Sequence, residues 1–565
     1  MTLIPFIRLQ RRKPQVASLR EYRAPPVELA RVRRAFPPPE AWLVALAAAG
    51  LATEWSAVHH SMLLYGDARA HLDVARGVTD GLTPGLAQLG SVWLPLPHIL
   101  LVPLVAITPL WHNGAAGAIV GGACFVYAAL RVFSLVEELS RSRLAAWCGF
   151  AVFVLNLNIL YLQSTALTEP VLLAFSIGAV YHLARWMRTL GVRDLLWGAL
   201  FIFCATLTRY EGWALLAAAV PVVGVWAHLN DRRQNSPQAN VVLFGVIGSY
   251  GIVLWFLYNL IIFHDPLYFL HSAYSAQAIN EAQAQFAGTK GHAWTSILTY
   301  GWDMIGILGV PVLIAGAVSS IMLLAIRHPD RRRTIFTLAL LGAPVLFEFV
   351  SLYLGQTTIR VPQLFPYGMW NDRYGIMALP FCAVAIGVLV DRWRWTLALA
   401  APAIAAAFLI MALGTPLAIA DGRTGTSSAA GGHPETAAAY LSHHYRGGEI
   451  LADDSAASSL IFASNLDLRQ FVTVGSRPFW EWAIRSPARN VAWVVSYPGD
   501  AVTSDMTVHP DRFRDFRIKF TEGQIKIFGR MPSGTMPLAA KVTGTGSHGG
   551  TTNAASGPVT GRGRE

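Results

Sequence analysis

The sequence predicts a polytopic α-helical membrane protein: roughly eleven transmembrane helices, surface helices in the first outer loop, and a small C-terminal α/β domain outside the membrane. Three observations carry this. Of 565 residues, 54% are hydrophobic and only 14% charged, and mean hydropathy is +0.43, the balance of a chain solvated largely by lipid. Apolar runs of about 17–25 residues recur along most of the chain. The basic residues behind the net charge of +11 cluster at Arg11 to Lys13, Arg31 to Arg34, Arg141 to Arg143, Arg232-Arg233, Arg331 to Arg333 and Arg392 to Arg394. Nearly all lie in short loops beside apolar segments, the pattern of positive-inside sorting and not of a nucleic-acid surface.

Taken in order, residues 1–40 form a basic cytoplasmic segment, read without a cleavable signal because a full-length span follows with no small-residue cleavage site. Residues 41–418 form the membrane domain. Its spans are expected near 41–60, 115–136, 144–160, 169–187, 193–209, 211–228, 240–262, 303–326, 334–354, 373–391 and 395–417. The run from Val92 to Trp111 is long enough to cross, but Pro95, Pro97, Pro103 and Pro109 suit a broken interfacial or re-entrant hairpin. Leaving it out makes every basic loop cytoplasmic. Residues 420–535 alternate polar helix-like stretches with short apolar runs such as Val491 to Val495 and Ile525 to Phe528, which predicts an extracytoplasmic α/β domain. The tail 536–565, rich in Gly, Thr, Ser and Ala, is expected to be disordered. Cys124, Cys148, Cys204 and Cys382 fall inside apolar runs and imply no disulfide framework.

This topology gathers five features at the outer face: the loop 61–114, the corners Thr165 to Pro170 and Thr208 to Trp213, the loop 263–302 and the segment 355–373. The first carries the densest charge. After Tyr65-Gly66 the chain starts a short helix with Arg69, Asp73, Arg76 and Asp80 on one face and Ala68, Leu72, Ala75 and Val78 on the other, able to lie on the membrane surface. Asp67 stands at its entry, where a carboxylate meets both water and a lipid-borne molecule. The plainer role for Asp67 is to cap that helix, and for Glu169, followed by Pro170, to sit on the positive end of a helix dipole. His71 is more simply a surface hydrogen-bonder, Arg209, Tyr210 and Glu211 an interfacial turn, and Arg373 and Tyr374 interface anchors.

Three motifs, Gly66-Asp67-Ala68-Arg69, Leu167-Thr168-Glu169-Pro170 and Asp372-Arg373-Tyr374-Gly375 followed by Leu379-Pro380, stand in this order on one side of the membrane. With the basic N-terminus, the single span before the acidic loop and the proline-broken surface helices, the chain resembles the GT-C class of membrane glycosyltransferases. Within that class it is most similar to the bacterial branch of protein O-mannosyltransferase-like enzymes and the lipid A aminoarabinose transferase. The resemblance covers roughly residues 40–400. Ala68 stands where the family often has the second carboxylate of an Asp-Glu pair.

The resemblance implies transfer of a sugar from a polyprenyl-phosphate donor to an acceptor hydroxyl on the outer face of the cytoplasmic membrane, with inversion. The acceptor is a glycan, lipid or protein, the bilayer is the other partner, and nucleic acid is not. Asp67 is the candidate base and Glu169 the second catalytic carboxylate, orienting acceptor or sugar. Arg69, Arg209 and Arg373 are candidate phosphate ligands, with His71, Tyr210, Glu211 and Tyr374 counted among the binding residues. The cofactor expected is at most a divalent metal ion, with Asp67, Glu169, His264 and Asp265 as candidate ligands at no diagnostic spacing. A flippase for a lipid-linked sugar, or a non-catalytic factor in surface polysaccharide assembly, are the other readings. The first should show internal repeats and polar groups at the mid-membrane.

Overall fold

The computed structural model describes residues 37–531 apart from 91, 231–235, 273–274, 276, 279–287, 329, 366–367 and 427–431. The basic segment up to residue 36 and the tail from 532 onward, for which a cytoplasmic arm and disorder are expected, lie outside the described residues. Among those described, eight helices are long and apolar enough to cross a membrane: Pro39–Val58, Ala115–Ser140, Glu169–Thr189, Glu211–Leu229, Pro237–Phe263, Arg331–Leu354, Tyr374–Arg392 and Arg394–Thr424. Ala293–Leu308 and Val310–Ala325 join at a bend of 110° to make a ninth, broken span. The chain is a multi-pass integral membrane protein.

Two of the eleven expected spans fall short of that length, yet both run between the Glu138 and Arg188 end of the bundle and the Glu169 and Arg209 end. The segment read as 144–160 breaks into Arg143–Val154 and Leu157–Leu162, because Asn156 turns out of the first helix and its side chain caps the second, accepting from the amides of Asn158 and Ile159 at 3.0 Å each. The segment read as 193–209 is helical only over Val192–Thr206.

Opposite ends of the bundle carry different charge patterns. At one end Glu138 accepts from Arg188 (Nη2, 3.0 Å) and Arg333 (Nη1, 3.4 Å), tying together the ends of three helices beside the Arg141 to Arg143 corner. At the other end lie the Asp67, Glu169, Arg209 and Arg373 side chains. The helices between them pack closely through glycine. The backbones of Ala166 and Gln163 occupy the space where a Cβ on Gly117 or Gly121 would sit, so Ala115–Ser140 presses directly on the turn that leads into Glu169. Ser164 and Thr165 tighten that turn, their hydroxyls donating to the carbonyls of Tyr161 and Leu162 at 2.7 Å.

The first loop is built as expected from surface helices. Gly66–Asp80 lies against a proline-broken hairpin, Leu96–Val105 and Thr108–His112, whose carbonyls at Val105 and Ala106 accept from Arg76 Nη1 at 2.7 and 3.1 Å. Towards the C-terminus a five-stranded sheet has the order β2-β1-β3-β5-β4, with β1 Ile450–Leu451, β2 Phe471–Val472, β3 Trp493–Ser496, β4 Phe516–Glu522 and β5 Ile525–Arg530. β1 runs parallel to β2 and β3, and the β3-β5-β4 half is antiparallel. Strand alternation sends Ile450, Phe471 and Val495 into one core layer and Leu451, Val472 and Val494 into the other, so helices cover both faces.

The glycine contact is testable. Gly121→Ala should lower the thermal stability of detergent-purified protein by about 1–3 kcal/mol, because the methyl meets a carbonyl that cannot retreat without moving the Glu169 turn. An unchanged melting temperature would contradict that packing.

Candidate functional site

At the end of the bundle where the first loop lies, five charged side chains from four separate segments form one alternating array. Its centre is Glu169, fully buried at the first turn of Glu169–Thr189. Glu169 Oε1 accepts from Arg373 Nε at 2.9 Å and from Arg209 Nη1 at 3.0 Å. Arg209 also reaches Glu211 Oε1 at 2.7 Å and Thr168 Oγ1 at 3.1 Å. Arg373 donates from Nη1 to Asn371 Oδ1 at 2.8 Å and from Nη2 to Asp67 Oδ2 at 2.5 Å. Three carboxylates and two guanidiniums leave the array with one net negative charge. Its open member is Asp67, whose side chain is 40% exposed while that of Arg373 is 4% exposed.

Each side chain is placed by local structure. Arg209 and Glu211 stand in the few residues between Val192–Thr206 and Glu211–Leu229, where Gly212 lets the two helices meet backbone to backbone. Arg373 follows Asn371, whose φ of +58° lies in the left-handed region that asparagine tolerates. Asn371 Nδ2 donates to Thr358 O at 3.0 Å, and Gly375 N donates to Asp303 Oδ2 at 2.8 Å, so the turn is gripped on both sides of Arg373. Tyr65 and Tyr374 lie against the arginines, with Arg373 4.7 Å from the Tyr65 ring centre and 5.1 Å from that of Tyr374, and Arg209 4.6 Å from that of Tyr374. The Tyr65 hydroxyl donates to Asp421 Oδ2 at 2.9 Å and to Ala418 O at 2.7 Å. Burial works against charge on Arg373, but Tyr374, Glu169 and Asp67 outweigh it and raise its pKa above the ordinary arginine value. Asp372 is also buried, and burial followed by Asp303 and Asp421 pushes it up to about 10 against the opposing pull of Arg360.

The structure thus brings together Asp67, Glu169, Arg209, Glu211, Arg373 and Tyr374. It does not bring Arg69, whose Nη1 turns away to Glu435 Oε1 at 2.8 Å. Tyr210 belongs to an aromatic group instead, its ring 5.6 Å from that of Phe269 and its hydroxyl donating to Val92 O at 2.7 Å. His71 is buried, not a surface group: its Nδ1 lies 2.8 Å from His98 Nε2 and its ring 4.2 Å from that of Trp93. Tyr65, Thr168, Asn371, Asp303 and Asp421 escaped the sequence reading. The last two carried a signal, since a carboxylate within an apolar segment needs a partner.

A divalent cation does not fit this donor set. Arg373 already stands between Asp67 and Glu169, and Asp265 is used locally, its Oδ1 accepting from Leu267 N at 2.9 Å. Among the described residues no three His, Cys, Asp or Glu side chains are grouped to hold a metal.

The histidine pair gives a pH dependence. Burial above all, with Arg373 and Arg209 adding and Glu169 opposing, pushes His71 down to about 3, and burial lowers His98 likewise. Between about pH 3 and 6.5 the unfolded chain binds more protons than the folded one, so stability falls as pH drops below about 6.5. The melting temperature should fall between about pH 7.5 and pH 5, and less steeply in His71→Gln. Identical slopes would contradict a buried neutral His71.

No family model and no curated protein matches this chain. Solved structures do. ArnT from Cupriavidus metallidurans bound to undecaprenyl phosphate superposes with a TM-score of 0.57 at 12% identity, over 89% of this chain and 100% of that one. Weaker likenesses, with TM-scores of 0.44 and 0.43, are to an oligosaccharyltransferase from Archaeoglobus fulgidus (13% identity, 80% of this chain and 67% of that one) and to ArnT in its apo state (14%, 87% and 98%). At such identities the likeness is one of architecture. The chain has the GT-C fold of membrane glycosyltransferases.

Proposed function

We propose that this protein is a glycosyltransferase that moves a sugar from a polyprenyl-phosphate donor to an acceptor hydroxyl, with inversion, at the extracytoplasmic face of the cytoplasmic membrane. The observation that carries the reading is the half-exposed Asp67 carboxylate bonded to a guanidinium that is otherwise buried, at one end of a GT-C bundle. A protein of the same fold, ArnT, binds undecaprenyl phosphate, which supports the donor class. The sidedness rests on the basic loops.

In this reading Asp67 takes the proton of the acceptor hydroxyl as its oxygen attacks the anomeric carbon. The bond from that carbon to the phosphate oxygen breaks, and the electron pair leaves with the phosphate. Arg373 and Arg209 stabilise the charge that develops there. Every described bond of Arg373 is to a carboxylate or amide oxygen, so a phosphate must displace a partner. Of its two carboxylate partners the exposed one is Asp67. A phosphate that takes Arg373 Nη2 therefore frees the base as it binds. Glu169 holds both arginines charged and oriented.

The test is transfer by membranes carrying matched amounts of wild type or Asp67→Asn, with a panel of polyprenyl-phosphate sugars as donors. Loss of about 10²–10⁴-fold with normal protein abundance is expected. Undiminished transfer by Asp67→Asn would overturn the assignment of the base, and no transfer by wild type from any donor to supplied glycan, lipid and protein acceptors would overturn the enzyme reading.

A further inference from the structure

The Gly66–Asp80 helix, which carries Asp67 in its first turn, has a buried stripe of mostly small residues, Ala68, Leu72 and Ala75, a weak hold for a helix that must deliver a carboxylate within hydrogen-bond reach of Arg373. It is gripped from its other side. In its first turn Arg69, only 12% exposed, donates from Nε to Leu63 O at 2.9 Å and from Nη1 to Glu435 Oε1 at 2.8 Å, at the start of the Pro434–His444 helix. At its last residue the buried Asp80 accepts from Arg76 Nε at 3.1 Å and from Arg469, which lies between two strands of the C-terminal sheet. Just beyond, Gln88 Nε2 donates to Gly475 O at 3.1 Å, and Phe462 meets the rings of Trp111 and His112 edge-on at 6.1 and 5.9 Å. The hairpin side of the same helix is closed by Trp111 Nε1, which donates to Asp73 Oδ1 at 3.0 Å.

We propose that the C-terminal α/β domain is a clasp that sets the position of Asp67, with Arg69 paired to Glu435 and Asp80 paired to Arg469 as positioning residues. Arg69 is thereby assigned to the clasp and not to the donor phosphate. The two clasps sit at opposite ends of one helix, and a rigid rod held at both ends cannot swing its first turn away from Arg373. The inference rests on the reading of Asp67 as base, and it is tested apart from that reading.

The experiment is a charge swap in the full-length protein reconstituted in liposomes: Arg69→Glu, Glu435→Arg and the two together, beside Asp67→Asn. Each single variant should lower kcat about 10- to 100-fold with little change in donor KM, and the swap should recover transfer to within about 10-fold of wild type. A swap no better than Arg69→Glu, or a raised donor KM in Arg69→Glu with Glu435→Arg silent, overturns the clasp and returns Arg69 to the phosphate. Hydrogen exchange of the amides of residues 67–72 reads the clasp without any activity. Faster exchange in both single variants with protection regained in the swap supports it, and unchanged exchange in both overturns it, whatever Asp67→Asn does to transfer.

Discussion

Burial of one carboxylate organises this end of the molecule. An ionised Glu169 removed from water would cost several kcal/mol, on the order of what a whole domain has to spare, unless opposite charge and hydrogen bonds meet it there. Arg209 and Arg373 do so, and each is itself buried, so each needs a further partner: Glu211 for the one, Asp67 and Asn371 for the other. The requirement propagates outward until it reaches water at Asp67. Four segments of chain must therefore converge at one point, and the glycine contacts of Gly117, Gly121, Gly212 and Gly375 are the places where backbones come close enough to allow it.

The same arrangement leaves the site poised for an anionic ligand. Both guanidiniums are flattened against tyrosine rings and fixed in direction, which suits the phosphate-binding role proposed for them. The weak point is the exposed end of the array, where water screens the Asp67 to Arg373 bond far more than it screens Glu169. Beside it the His71 and His98 pair is kept neutral by burial, which adds hydrogen bonding to the hairpin without adding charge to the site. The Gly66–Asp80 helix is thus part of the site's wall, bonded on one side to the proline-broken hairpin and on the other to Arg469 beside the C-terminal sheet.

Much of this was legible in the residues. Composition and the basic loops sufficed for a multi-span bundle, and prolines at 95, 97, 103 and 109 for a hairpin that does not cross. Asp67, Glu169, Arg209 and Arg373 stood out because charge beside an apolar segment is costly unless used. Tyr65 and Asn371 did not, because their roles are to touch an arginine and to shape a turn, and neither leaves a periodic trace. The direction of Arg69 was not legible: an arginine two residues from a carboxylate has the reach to point either way along a surface helix, and in the structure it meets Glu435, more than three hundred residues later.

The sequence by itself determined the solvent of each segment, and with it the class of protein, the membrane-crossing helices that are long and uninterrupted, and the set of charges able to share one end of the bundle. Hydropathy and periodicity are local quantities, so they survive in the linear chain. Only the tertiary structure decided which charges pair. Asp67 and Arg373 are separated by 306 positions and Glu169 and Arg373 by 204, and those bonds exist only once helices from distant parts of the chain have packed. The same holds for where a helix breaks: the turn at Asn156 falls inside an apolar run, and only the assembled bundle sets it.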